Sequence, residues 1–247
     1  MKQRLDRVMV DRGLSDSREK AQALIMAGEV WIDGQRASKA GQMVLPEARI
    51  EITAKQRYVS RGGLKLEGAL RHFGIEVTGL IAADFGSSTG GFTDCLLQAG
   101  AARVHAIDVG TGQLDWRLRN DPRVVVHEGV NARYIELTDL GEPVDFAVCD
   151  VSFISATMIL PAMVKVLKEK PLKEKKESSL VVLVKPQFEV GKGQVGKGGI
   201  VRDPAQHEAA CAKVRACAEE LGFATQIMES PITGAEGNKE FLLYGRR

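Results

Sequence analysis

The stretch Ile81–Gly100, "IAADFGSSTGGFTDCLLQAG", decides the fold. An apolar strand runs into Asp84, and a helix is expected over 91–99. Between them lie Gly86, Gly90 and Gly91. Glycines between a strand and a helix let backbone approach a ligand, and the N-terminus of the following helix favours anions or polar groups. The spacing is D-x-G-x-x-x-G-G-F rather than G-x-G-x-x-G, which weakens a dinucleotide reading. The stretch also spells G-x-S-x-G, with Ser88, an aspartate and His207 in the order of a hydrolase triad. A nucleophile elbow of that kind follows several core strands. Here only a small basic segment precedes the first one, so the reading is rejected.

Outward from this loop, strands and helices alternate. Strands are expected at Leu80–Asp84, Arg103–Asp108, Val124–Glu128, Val144–Cys149, Leu180–Lys185, Thr225–Glu229 and Glu240–Tyr244. Helices fit at 91–99, 113–119, 155–168 and 204–221, and a further helix begins at Leu64. The pattern predicts an α/β domain whose seven-stranded, mostly parallel sheet is covered on both faces. The last two strands are read as a hairpin. The run at 168–179 is a charged surface loop. Leu180–Val184 is an unbroken apolar run, as expected of a strand buried on both sides, and it delivers Lys185. Asp150 ends the strand before it. Carboxyl ends of parallel strands line the ligand crevice, so Asp150 and Lys185 are expected side by side there. From Gln187 to Asp203, five glycines and three basic residues suggest a loop that closes over a substrate.

Composition is that of a globular protein, 44% hydrophobic and 27% charged over 247 residues. The N-terminus lacks the apolar core of a signal peptide. No stretch approaches the roughly 18 apolar residues of a membrane span. Cys95, Cys149, Cys211 and Cys217 form no CxxC pair, and the four histidines are scattered. The expectation is reduced thiols, no metal site and a cytoplasmic protein. Residues 1–65 hold 13 Lys and Arg against 8 Asp and Glu, a net +5, whereas the remainder is −3. Such asymmetry fits either an anionic partner at the N-terminal end, nucleic acid first, or a solvated basic face on a small domain.

That end reads as a small unit over residues 1–60. A short helix over Arg4–Asp11 precedes "SDSREKAQALIMAG", where Asp16 and Glu19 fit a capping box. Then "EVWIDGQRA" gives a strand and an Asp-Gly turn, and "ARIEITA" a second strand. The signature "RLDRVMVDRGLSDSREKAQALIMAGEVWIDGQ" resembles the S4 RNA-binding domain. The resemblance implies a compact α+β module that holds structured RNA through phosphate and shape contacts. Arg18 and Lys20 are its foremost candidate contacts, with Arg4, Arg7 and Arg36 beside them. Residues 55–63, "KQRYVSRGG", read as a basic linker contributing Arg61. Lys192 and Lys197 come from the glycine-rich loop. The second domain is then 64–247.

"DFGSSTGGFT" resembles the S-adenosylmethionine loop of FtsJ-like ribose methyltransferases, which have a Rossmann-like fold. The resemblance implies a cofactor site built from Asp84, Gly86, Ser87, Ser88, Gly90, Gly91 and Phe92. Asp108, at the end of the second strand, would accept hydrogen bonds from ribose hydroxyls, and Asn131 would reach adenine. The series Lys65, Asp150, Lys185, Glu240 resembles the Lys-Asp-Lys-Glu tetrad of 2′-O-methyltransferases, with Lys185 handling the proton. An S4 module followed by such a domain is similar to the TlyA (haemolysin A) family across essentially the whole chain. That implies methylation of ribosomal RNA at cytidine, on free rRNA or on ribosomal subunits. Two other readings compete with this one. A membrane-active haemolysin needs an insertion segment, and none is found. A non-catalytic RNA-binding assembly factor has no need of four intact tetrad positions. The sequence leaves the oligomeric state open.

Overall fold

The computed structural model describes residues 2–26, 28–52, 57–169, 178–191, 193, 195–234 and 237–247. The chain forms two compact units, residues 1–57 and 58–247.

In the first unit, β1 (Gln3–Arg4) leads directly into α1 (Leu5–Asp11), followed by α2 (Arg18–Met26). The remaining strands are β2 (Val30–Ile32), β3 (Gln35–Arg36), β4 (Met43–Val44) and β5 (Ile50–Ile52). β1 pairs with β4, and β2 lies between β3 and β5, all antiparallel. Asp33 and Gly34 both take positive φ, 47° and 81°, the geometry of the tight hairpin turn expected from Asp-Gly. Asp16 does not cap α2. The helix starts one residue later than the capping-box reading requires, so the Ser17 hydroxyl accepts the Lys20 N–H at 3.2 Å. Asp16 instead takes the Lys20 ammonium at 2.6 Å. Leu5, Val8 and Met9 of α1 pack with Ala21 and Ile25 of α2 over Val30 and Ile32.

The second unit opens with α3 (Gly62–Phe73). Its strands are β6 (Ile81–Phe85), β7 (Arg103–Asp108), β8 (Val124–Glu128), β9 (Phe146–Cys149), β10 (Ser179–Val184), β11 (Ala224–Glu229) and β12 (Phe241–Arg246). They form one sheet in the order β11-β12-β10-β9-β6-β7-β8. Only β12 runs against its neighbours, pairing antiparallel with both β10 and β11. Its six central pairing positions on β10 run Ser179–Val184 against Arg246–Phe241. Alternate residues of β10 feed two separate cores. Leu180, Val182 and Val184 pack with Leu160 and Met163 on one face, and Val181 and Leu183 with Leu66 and Leu96 on the other. This is why the run carries no polar residue: both faces are covered.

Helices α4 (Gly91–Gln98), α5 (Trp116–Arg119), α6 (Leu137–Leu140), α7 (Leu160–Val166), α8 (Pro186–Glu189) and α9 (Pro204–Glu220) connect the strands. Two expected helices are shorter. The one expected over 113–119 keeps only α5, because Asp115 accepts the Arg117 N–H and starts the helix there. The one expected over 155–168 divides into a 3₁₀ turn, Ala156–Met158, and α7. Pro161 has no N–H for an upstream carbonyl, so α7 begins around it. Most of the charged run at 168–179 lies outside the described residues. Sheet order reverses at β6, which has β7 on one side and β9 on the other. That reversal is the switch point where open parallel sheets hold ligands.

Candidate active site

At the switch point the chain leaves β6 and turns sharply. Gly86 has φ +84°, and a Cβ there would lie 2.7 Å from the Asp150 carbonyl oxygen. Gly91 opens α4, where a Cβ would meet the Ser60 hydroxyl and the Gly63 amide. The segment before α3 is thus fastened against the loop, and the Val59 N–H donates to Asp94 Oδ2 at 2.8 Å. Ser88, also at positive φ, donates its N–H to Asp108 Oδ2 at 2.8 Å, and the other Asp108 oxygen accepts the Gly110 N–H. The result is a cavity of about 640 Å³, within the size range of small-molecule sites.

Of the nine positions expected to hold a cofactor, Gly86, Ser88, Asp108 and Asn131 line this cavity. Asp84, Ser87, Gly90, Gly91 and Phe92 do not. They shape the loop from behind: Phe92 is buried in the apolar core, and a side chain on Gly90 would strike Leu118. Asp84 is wholly buried, and its Oδ2 accepts the Thr93 hydroxyl at 2.7 Å. Its Oδ1 has no hydrogen-bond partner among the described residues. Burial pushes its carboxyl up to about 7, opposed by the Thr93 bond and reinforced by the Asp150 and Asp108 charges. A hydrolase triad is excluded by placement. The Ser88 hydroxyl meets Gln113 at 3.3 Å, while His207 is buried against the Val201 carbonyl at 2.8 Å.

Two lysine–carboxylate pairs stand at the strand ends. Lys185, just past β10, holds Asp150 Oδ1 at 2.6 Å and the Ser152 hydroxyl at 2.9 Å. Lys65, one turn into α3, holds Glu240 Oε2 at 2.5 Å. Register explains why the pairs are close. Val184 faces Phe241 across the sheet, so the next residue, Lys185, comes level with Glu240. On its other side β10 follows β9, which ends in Asp150. Gly62, at the start of α3, approaches Asp150 closely enough that a Cβ would be 3.8 Å from Oδ2. Lys65, Lys185 and Glu240 are buried, whereas Asp150 lines the cavity. Both lysines therefore carry compensation for charge held out of water.

Several residues at the cavity were not singled out by sequence reasoning. Ser152 bonds Lys185, and Phe153 stands 91% exposed at positive φ, 66°, on the cavity rim. An exposed phenylalanine in a left-handed conformation has no sequence signature, because glycine or asparagine is the usual occupant. The "VSF" that follows Asp150 is the cue the sequence offers.

In the first unit, Arg4, Arg7, Arg18, Lys20 and Arg36 are all exposed. Arg4 and Arg18 are not independent. A buried carboxylate, Asp6, accepts both Nε and Nη2 of Arg4 at 3.0 and 2.9 Å, Arg18 Nη2 at 3.2 Å and Gln22 Nε2 at 2.8 Å. The Arg4 bond holds the Asp6 carboxyl far below the usual range. The guanidiniums are thereby oriented with half of each side chain left in solvent. Arg36 donates to the Gly28 carbonyl at 2.8 Å. Arg61 is exposed ahead of α3 in the second unit. Lys192 and the Lys197 side chain lie outside the described residues. The cysteines form no disulfide, and burial pushes the Cys149 thiol up to about 12. Among the described residues no group of side chains has metal-ligand geometry, and no helix is long and apolar enough to cross a membrane.

Comparison with known proteins matches residues 58–247 to the FtsJ-like methyltransferase family and residues 3–50 to the S4 domain. A candidate rRNA methyltransferase, YqxC, of Bacillus subtilis (strain 168) is 47% identical over 247 residues, covering 98% of this chain and 85% of that protein. The 16S/23S rRNA (cytidine-2′-O)-methyltransferase TlyA of Mycobacterium tuberculosis (strain ATCC 25618 / H37Rv) is 46% identical over 246 residues, 98% of this chain and 89% of that protein. Among solved structures, a hemolysin candidate from Streptococcus thermophilus is 44% identical with a TM-score of 0.74, covering 100% of this chain and 88% of that one.

Proposed function

The chain belongs to the FtsJ-like methyltransferase family, with an S4 domain ahead of the methyltransferase domain, and from that premise we propose that it methylates the ribose 2′-hydroxyl of a cytidine in ribosomal RNA, with S-adenosylmethionine as the donor. The observation that carries the reading is the close pairing of Lys185 with Asp150 at the edge of the 640 Å³ cavity. The domains would be an S4 module to about residue 57 and a methyltransferase from 58 on.

The cavity fits the donor. Asp108 and Asp150 line it and Asp84 lies on the strand between theirs, so a cationic ligand meets carboxylates. Gly86 keeps its floor free of side chains. When bound, the donor supplies an electrophilic methyl on a sulfonium. The work left to the chain is alignment and proton removal. The ribose hydroxyl would be held in line with that methyl, and its proton would pass to the Lys185–Asp150 pair. Phe153, exposed beside that pair, offers a face on which an unstacked base would rest. In the S4 module, Arg4 and Arg18 would meet phosphates in the orientation that Asp6 imposes.

The test is transfer of labelled methyl from S-adenosylmethionine to purified 30S subunits, 50S subunits and free rRNA, followed by nucleoside mapping. Labelled 2′-O-methylcytidine is the expected product. No incorporation into any of the three would overturn the reading in favour of a binding factor.

Two further results are expected. Asp84 is protonated in the free protein below pH about 7, and a cation nearby favours its ionised form. Affinity for S-adenosylmethionine should therefore rise as pH increases through about 7, with proton release measurable by calorimetry in buffers of differing ionisation enthalpy. Because its folded value is raised above 3.8, the folded chain holds the extra proton between these values. Stability from this group is complete below 3.8 and is lost as pH rises towards 7. Asp84→Asn should flatten both pH dependences. In the S4 module, Asp6→Asn removes the negative charge and one of the two oxygens that accept from Arg4, Arg18 and Gln22. It should cost about 1–3 kcal/mol of stability, read as a lower Tm. Filter binding should show weaker retention of structured rRNA by the full-length variant.

A further inference from the structure

Glu189 lies four residues beyond Lys185, at the end of α8, and takes no part in lining the cavity. Its side chain is only 2% exposed. A carboxylate that deep has to be fully engaged, and this one is. Oε1 accepts the Ala156 N–H at 2.6 Å. Oε2 accepts the Ser155 hydroxyl at 2.5 Å and the Lys213 ammonium at 3.0 Å. Lys213, from α9, also donates to the Glu189 carbonyl at 3.0 Å and to Ser155 Oγ at 3.2 Å. Ser155 in turn caps the 3₁₀ turn after it, accepting the Thr157 N–H.

These bonds join the two segments that supply the reacting groups. One, residues 150–156, carries Asp150, Ser152 and the exposed Phe153. The other, residues 185–189, carries Lys185. At one end they are tied by Lys185 to Asp150 and Ser152. At the other they are tied by Glu189 to Ser155 and Ala156. Between the two ties, Phe153 and Phe188 meet with ring centroids 5.4 Å apart. A loop whose middle residue sits at positive φ has no secondary-structure ladder to hold its shape. Its shape is fixed at its ends.

We infer that Glu189 is a positioning residue for methyl transfer: by anchoring Ser155 and Ala156 under the control of Lys213, it sets the distance of Asp150, Ser152 and Phe153 from Lys185. The inference rests on the reading of Lys185 and Asp150 as the catalytic pair. The tie needs a polar side chain, because without it the buried Ala156 N–H is left unpaired. Displacement of such a loop by about 1 Å is worth on the order of a 100-fold loss of rate.

The test compares the full-length chain with Glu189→Ala, Ser155→Ala and the double variant Glu189→Gln/Lys213→Met. Methyl transfer to the rRNA substrate and S-adenosylmethionine affinity are measured on samples shown to be folded by circular dichroism. Glu189→Ala should lower kcat about 100-fold while cofactor affinity and KM for RNA stay within about threefold. The double variant keeps an amide that bonds Ala156 and Ser155 and removes the stranded ammonium, so it should regain most of the rate. If Glu189→Ala does not fold, Ser155→Ala takes its place, with a smaller loss of kcat of the same kind. A folded variant with parental kcat overturns the inference, as does a loss of cofactor affinity in step with kcat. A parental chain that methylates no RNA overturns the functional reading itself, and this inference with it.

Discussion

Replacing Lys185 by methionine should lower kcat for methyl transfer by a factor of about 10²–10⁴ and leave S-adenosylmethionine affinity within a few-fold of the parent. The asymmetry follows from placement. Lys185 meets Asp150 and Ser152 but is not among the residues that line the cavity. The loop proposed to hold the cofactor hangs instead on Gly86, Ser88 and Asp108, two strands and more away along the sheet. Methionine keeps the length of the stem and the apolar contacts beneath it, so the strand end stays packed. What disappears is the ammonium that pairs with Asp150 and that we propose steers the ribose proton. Single-turnover transfer and calorimetric binding on the same sample give the two numbers. Turnover at the parental rate would remove Lys185 from the chemistry, and an equal loss of binding would make it a structural residue.

How much of this was legible in the sequence depends on the kind of signal each residue left. The sheet was legible because β6 to β10 are short apolar runs with turn residues between them, and a buried parallel strand has no other composition to adopt. Some strand ends moved by one or two residues. Asp84 was expected to close β6, yet Phe85 continues the pairing with Ile107 and Cys149. Lys185 and Glu240 stand just outside their strands rather than within them. The proximity of Asp150 to Lys185 was legible, because both lie at carboxyl ends of successive strands. The partnership of Lys65 with Glu240 was not. It depends on β12 running antiparallel to β10 and on α3 packing over β12, and both are long-range pairings with no local trace. Asp6 was equally hidden. In the sequence it is a polar position on α1 among several, and only the fold brings Arg4, Arg18 and Gln22 to one carboxylate. Glu189 was read as part of a loop, because "PQFE" after a strand has too few residues to announce a helix.

The Lys65–Glu240 pair should yield the second large effect, this time on stability. Lys65→Met leaves Glu240 at 3% exposure without its ion-pair partner. Breaking a buried pair from one side costs about 3–5 kcal/mol, because the survivor keeps its desolvation penalty and loses its compensation. For a unit of this size that is a fall in Tm of roughly 6–20 °C. Room for the survivor to escape is small. Gly234 closes over Glu240 so tightly that a Cβ there would lie 2.4 Å from Oε1. The 2.5 Å contact with Lys65 is an ion pair without hydrogen-bond alignment at Oε2, so its value lies in charge rather than direction. Charge can be removed from both sides. Lys65→Met/Glu240→Leu should recover most of the lost Tm, since two apolar groups of similar volume replace two buried ions. Methyl transfer should stay abolished in the same double variant, because the site then holds one lysine and one carboxylate where it had two of each. Thermal melting and labelled-methyl transfer, run side by side, separate the pair's contribution to the fold from its contribution to the reaction. Recovery of both together would mean that the pair only holds α3 to the sheet, and recovery of neither would mean that the volume match fails.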